Sequence, residues 1–194
     1  SSGVEIVPPV PSLFPLRLEP SGLEQLSGAL VEDSVATIAG TKFRAEGITL
    51  ITHNGVSGPC ILRLSSYAAR YLSEQSFQAP LVMNWLGGVA EDDAIDLLHS
   101  MATENAQKLV CNTHPGQLTS RHWELLVSRA GTGREVRGSG VGRKQMNRLA
   151  SVLTSDRYQI TGRVPHKEEF VTAGGVSLRS VDSNTLECKS RPGL

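Results

Sequence analysis

The 194-residue sequence predicts an α+β fold: a β domain built from both ends of the chain, with a small helical subdomain inserted between them. Three observations point there. Roughly the first 55 residues, and those after Thr154, consist of short apolar runs with strand-like alternation, separated by Gly and Pro. Residues 88–154 instead repeat apolar side chains at i, i+3, i+4 and i+7, three times over. Gly87-Gly88 punctuates the change of texture. The expected boundaries are residues 1–87 and 155–194 for the β part and 88–154 for the helical part.

Taken in order, Val4-Glu5-Ile6-Val7 is an apolar run closed by Pro8-Pro9, and Leu16 and Leu18 alternate with Arg17. Val35–Ala39 is a further short run. Thr41–Ala45 and Ile48–Thr52 flank Glu46-Gly47, which reads as a hairpin tip because Gly47 takes positive φ without strain. Ser57 is the expected N-cap of a helix with Pro59 in its first turn and Ile61, Leu64, Ala68 and Leu72 on its buried face. Leu81, Met83 and Trp85 alternate with Val82 and Asn84, so Ala79–Leu86 reads as a strand.

Three helices follow. Their buried faces are Ala94, Leu97, Leu98 and Met101; then Trp123, Leu126, Val127 and Ala130; then Met146, Leu149, Ala150 and Leu153. Gly131 is the expected residue just past the end of the second. Tyr158 and Ile160 open the return to β texture. Phe170 to Leu178 reads as strand, tight glycine turn at Gly174-Gly175, strand. The final Pro192-Gly193-Leu194 reads as a turn into another strand, so a piece of a longer protein is expected.

Composition narrows the function classes. The chain is 39% hydrophobic and 20% charged, as for an ordinary globular domain, and its formal net charge is zero. That balance argues against nucleic-acid binding as the main role, since phosphate binding usually needs a basic excess, although a local basic patch stays open. No apolar run approaches the roughly 20 residues that span a bilayer, and no signal peptide is visible. Cys60, Cys111 and Cys188 are far apart and odd in number, which fits reduced thiols in a cytoplasmic protein better than a disulfide framework.

Several motifs carry two readings. Gly138-Ser139-Gly140-Val141-Gly142 leads into a helix, but its GxGxG spacing and lack of a preceding strand favour a flexible loop over a phosphate cradle. Thr52-His53-Asn54-Gly55-Val56-Ser57-Gly58-Pro59 joins a strand to a helix N-terminus, where free N–H groups favour an anion or an electron-rich ligand atom; the alternative is a capped turn. Thr172-Ala173-Gly174-Gly175 is either a turn or bulge, or a backbone passing close to a flat ligand. His166-Lys167-Glu168-Glu169 reads as a solvated charge cluster. The five histidines show no HxxxH or HxH pairing, which disfavours zinc. Gly55-Val56-Ser57-Gly58 is not the GxSxG elbow of a hydrolase.

Four blocks occur in order: Ile6 to Leu13 (IVPPVPSL), Gly40-Thr41-Lys42, Thr52 to Pro59, and Lys167 to Leu178 (KEEFVTAGGVSL). Together they resemble the BaiN-like, aminoacetone-oxidase-like family of NAD(P)/FAD-dependent oxidoreductases. Family members usually carry an aromatic residue before Thr-His, where this chain has Ile51. The resemblance implies that the chain is the inserted middle domain of a flavoprotein, its β part (1–87 and 155–194) a β-barrel-like unit carrying the helical subdomain (88–154), with the FAD-binding Rossmann-type domain absent from it. It implies FAD in the full-length protein and none held by this piece, which would cover the flavin and shape the site of a small-molecule substrate. The matched positions, implied to face flavin or substrate, are His53, Asn54, Ser57, Gly58, Thr172, Gly174 and Gly175; no catalytic residue is assigned. The alternative is a stand-alone binding module, a small barrel with helices, recognising a protein or nucleic acid.

Overall fold

The computed structural model describes residues 4–164 and 171–190, so the His166–Glu169 cluster and the closing Pro192-Gly193-Leu194 lie outside the described residues. Its centre is a closed six-stranded antiparallel barrel. In chain order the strands and helices are β1 (Ile6–Pro11), β2 (Leu16–Leu18), β3 (Leu30–Ile38), β4 (Arg44–Thr52), β5 (Gly55–Ser57), α1 (Pro59–Tyr67), α2 (Ala69–Glu74), β6 (Ala79–Asn84), α3 (Glu91–Glu104), α4 (Ser120–Arg129), α5 (Arg143–Ser155), β7 (Asp156–Arg163) and β8 (Thr172–Val176). Around the barrel the order is β2-β5-β4-β3-β6-β7, and β2 closes it by pairing with both β5 and β7. β1 and β8 form a separate two-stranded ribbon. The α+β class is as the sequence predicts, and the barrel drawn from both halves of the chain is as the resemblance implies.

Alternation sets the strand faces. In β6, Ala79, Leu81 and Met83 point inward while Pro80, Val82 and Asn84 are more open, and in β7 Asp156, Tyr158 and Ile160 do the same. One continuous core runs from the barrel into the helices, with Trp85 and Trp123 among the largest fully buried side chains. Truncating a fully buried leucine such as Leu81 to alanine is expected to cost about 2–5 kcal/mol.

Two expected turns are strand interiors instead. β4 runs straight through Glu46-Gly47, and the hairpin tip lies at residues 39–43, where Thr41 Oγ1 donates to Ile38 O at 2.8 Å. Gly47 sits at a bulge opposite Ser34. There the buried Ser34 hydroxyl donates to Gly47 O at 2.8 Å, which leaves Thr49 Oγ1, 2.7 Å away, to donate to Ser34. Likewise β8 passes unbroken through Gly174-Gly175 rather than turning back at them. Its partner β1 continues through Pro8-Pro9, which a two-stranded edge tolerates because proline has no N–H to leave unpaired in a ladder.

Ser57 does not cap α1. It ends the three-residue strand β5, and Gly58 (φ 92°) makes the turn into the helix with Pro59 at its first position. The helices follow their predicted faces, except that Leu97 is exposed. Gly131 (φ 71°) ends α4 as expected: its N–H reaches Ser128 O at 3.0 Å and that of Thr132 reaches Val127 O at 3.1 Å, the paired bonds of a glycine-terminated helix. Gly142 precedes α5, and Gln145 Oε1 accepts its N–H at 3.0 Å. α3 and α4 pack on α5, whose end is tied to the barrel where Trp85 N–H reaches Leu153 O at 2.8 Å.

Candidate functional site

The Thr52–Pro59 segment forms the rim of one barrel end. The turn between β4 and β5 exposes His53 and Asn54, while its carbonyl at Asn54 accepts from Leu18 N–H at 3.0 Å and so fixes the turn to β2. The side chains of His53 and Asn54 make no hydrogen bond among the described residues. They line an open groove with Arg17, Glu19, Glu24 and Thr161. Hydrogen bonds from its own backbone N–H and from those of Ser21 and Gly22 hold the Glu24 carboxyl below the usual carboxylate range.

The glycines of the expected site are accounted for by chain–chain approach. A Cβ on Gly55 would lie 2.2 Å from Leu16 O, and one on Gly58 would lie 2.8 Å from Ile48 O. On Gly174 it would lie 2.7 Å from Pro8 O and 2.8 Å from Pro9 Cα. Of these glycines only Gly175 faces open space, at φ 109°. Thr172 is exposed at the start of β8. The structure therefore places His53 and Asn54 at the barrel rim, Ser57 and Gly58 at the other end of β5 beside Leu50 and Ile48, and Thr172, Gly174 and Gly175 together on the ribbon. No hydrogen bond or ion pair among the described residues joins the ribbon group to the other four. At Gly55, Gly58 and Gly174 the space a side chain would take is filled by neighbouring backbone, whereas at Gly175 it is open.

Sequence reasoning missed a buried polar cluster where barrel and helices meet. Asp156, 3% exposed, accepts from Trp85 Nε1 at 3.0 Å and from the Tyr158 hydroxyl, and pairs with Arg129 at 2.7 Å. The Arg129 guanidinium also lies 4.6 Å from the centre of the Tyr158 ring. Burial raises the Asp156 carboxyl, opposed by Arg129 and by the Tyr158 and Trp85 hydrogen bonds. Burial, with the Asp156 charge, raises Tyr158 as well. Beside them His122 is buried edge-on to Trp85, at 4.7 Å between ring centres, and neither ring nitrogen has a partner among the described residues. Burial and then the Arg129 charge push it down to about 4. The available signal was an Asp-x-Tyr alternation opening a strand straight after a helix, in which an inward aspartate demands buried partners.

Other chemistry is sparse. Among the described residues there is no cluster of three or more His, Cys, Asp or Glu side chains able to hold a metal, and no helix is long and apolar enough to cross a membrane. Cys60, Cys111 and Cys188 are thiols and join no disulfide. Burial raises Cys60, whose Sγ donates to Ala45 O at 3.4 Å. A small apolar cavity in the helical part, lined by Leu98, Trp123 and Leu149 among others, measures about 20 Å³, room for little more than one water.

A six-stranded barrel carrying a helical unit, with a rim groove and no metal cluster among the described residues, defines the class of this chain as a barrel-and-helix domain. A protein-family profile described as "HI0933-like protein barrel and H2TH domain" matches residues 10–171, and the chain belongs to that family. It is 30% identical over 205 aligned residues to the ribosomal RNA dihydrouridine synthase of Escherichia coli K12, an alignment covering 99% of this chain and 46% of that protein. It is 23% identical to the ribosomal RNA dihydrouridine synthase of Haemophilus influenzae Rd, covering 99% of this chain and 45% of the relative. The chain thus spans about half the length of the curated relatives it matches.

Proposed function

We propose that this chain is the barrel-and-helix part of a BaiN-like, FAD-dependent oxidoreductase that reduces uridine to dihydrouridine in ribosomal RNA. The observation that carries this reading is the end-to-end match of the chain to two proteins named for that activity. The reaction is a net two-electron reduction of the C5–C6 double bond of uracil, and a reduced flavin supplies such electrons when bound. In this reading the rest of the polypeptide holds FAD, and residues 1–87 with 155–194 form the barrel part that covers it, with 88–154 as the helical part.

The barrel rim and the ribbon supply positioning. His53 and Asn54 offer unengaged polar side chains beside the exposed Arg17, while Ser57 and Gly58 lead from β5 into α1. Thr172, Gly174 and Gly175 lie on β8, which we assign to the side that meets the rest of the polypeptide. The ribbon leaves Ile6 and Val176 more than half exposed, and Leu178 beyond it 87% exposed, an apolar surface suited to packing against another part of the same protein. The zero net charge that argued against nucleic acid averages over segregated charges, so it does not weigh against an RNA substrate.

The test uses cells lacking the full-length gene, complemented with wild type or His53→Ala, with dihydrouridine in ribosomal RNA measured by mass spectrometry. Wild type is expected to restore the modified base and His53→Ala to lower it severalfold with an unchanged flavin spectrum. Dihydrouridine levels independent of the gene would refute the function; full restoration by His53→Ala would refute the positioning role alone.

A further inference from the structure

We propose that the outer face of α5 is the surface that grips the phosphate backbone of the RNA, an inference that rests on the function proposed above. α5 carries Arg143, Lys144 and Arg148 and no acidic residue. With Asn147 and Ser151 these line one shallow open groove along the helix. At about 100° per residue, the five side chains fall within an arc of roughly 140°, beside the apolar face of Met146, Leu149, Ala150 and Leu153 that packs inward. Cations interleaved with short hydrogen-bonding side chains are the composition that holds phosphate and sugar oxygens.

Two features argue that these charges serve a ligand rather than the fold. First, Arg143 and Lys144 stand in the first turn of a 13-residue helix, where the helix dipole disfavours cations. α3 obeys the rule that α5 breaks, with Glu91, Asp92 and Asp93 in its first turn. A local rule broken at a solvent-facing position marks a functional surface. Second, Arg143, Lys144 and Arg148 form no ion pair among the described residues, although Asp92 and Asp96 line the neighbouring groove with Arg143. Their charge is left for an outside partner. The acidic α3 then acts as a repelling edge, which confines a polyanion to the outward side of α5.

The partner this face fits is the backbone of a nucleic acid, read through charge and not through base identity. The test uses the full-length protein with a fluorescein-labelled 20-nucleotide oligouridylate and with deproteinised ribosomal RNA, titrated across salt. In the triple variant Arg143→Gln, Lys144→Gln, Arg148→Gln, affinity is expected to fall at least about tenfold. The log–log salt slope is expected to shallow by roughly 2, at about 0.7 per lost single-strand contact. Lys42→Gln, an exposed cation at the β3–β4 tip, is the control and is expected to leave both unchanged. If the triple variant unfolds by circular dichroism, the single variants Arg143→Gln and Arg148→Gln carry the test, each shallowing the slope by about 0.7. Wild-type affinity and slope in the variants would overturn the proposal while leaving the function standing. A wild-type protein that binds neither RNA would overturn both.

Discussion

His122 is a buried imidazole with two unpartnered nitrogens, and it should make the domain acid-sensitive well above the carboxylate range. Its folded value of about 4 lies below the unfolded 6.5, so the unfolded chain takes up the proton first as pH falls. Stability from this residue is therefore complete above about pH 6.5 and is lost progressively down to about pH 4. Each tenfold difference in proton affinity between the two states is worth about 1.36 kcal/mol, so the full loss is about 3 kcal/mol, with about 2 kcal/mol of it already gone at pH 5. Asp156 acts with the opposite sign: its raised carboxyl lets the folded state take a proton before the unfolded one, which offsets part of the loss in the lower end of the window. The perturbation is His122→Phe, which keeps a ring against Trp85 and keeps the backbone N–H that bonds the Thr119 side chain at 3.3 Å. Removing two buried, unsatisfied nitrogens should stabilise the domain at pH 7 by about 1 kcal/mol, after some loss to tighter packing. Urea denaturation at pH 7 and pH 5 measures both. The variant should lose about 2 kcal/mol less than wild type between the two, and an identical pH dependence in both proteins would refute the reasoning.

Three further outcomes follow from particular contacts. Gly55→Ala should destabilise by about 3 kcal/mol or more, because its Cβ meets Leu16 O at 2.2 Å where the barrel closes, whereas Gly140→Ala, with open space around it, should shift the melting midpoint little; equal effects in thermal melts would contradict this. Asp156→Ala should cost about 3 kcal/mol by leaving the buried Trp85 N–H and Tyr158 hydroxyl without their acceptor and the partly buried Arg129 without its partner, readable as a lower urea midpoint, and a wild-type midpoint would refute it. Cys60, buried with a raised thiol, should resist iodoacetamide at pH 8 in the folded protein while Cys111, more open, reacts; peptide mass mapping reads the order.

What the sequence made legible and what it hid divide along a physical line. Amphipathic helices announce themselves because three or four apolar residues per two turns must face one core, and α3, α4 and α5 lie where their periodicities place them. Alternation exposed β6 and β7 for the same reason. Glycine misled the reading at Gly47 and at Gly174-Gly175, because positive φ serves a hairpin turn and a bulge alike, and only the partner strand decides between them. β5 escaped notice because three residues carry too little alternation to stand out, yet it is one of the two strands that β2 needs to close the barrel. The Asp156 cluster was hidden because its members come from α4, β7 and the residue just past β6, and no local pattern ties them together.

The same line separates the two kinds of glycine in the candidate site. Gly55, Gly58 and Gly174 stand where backbone meets backbone closer than any Cβ permits, so their conformation is demanded by the barrel and the ribbon whether or not a ligand is near. Gly175 stands in open space, also at positive φ, and nothing among the described residues requires the absence of its side chain beyond the conformation itself. Gly174→Ala should therefore loosen the β1–β8 ribbon in the isolated chain, seen as faster hydrogen exchange at Val7 and Val10. Gly175→Ala should cost only about 1–2 kcal/mol there through its φ. If Gly175→Ala nevertheless abolishes the activity proposed for the full-length protein, the missing Cβ serves an approach from outside the described residues. If activity follows stability alone, the glycine at 175 serves the fold and not a ligand.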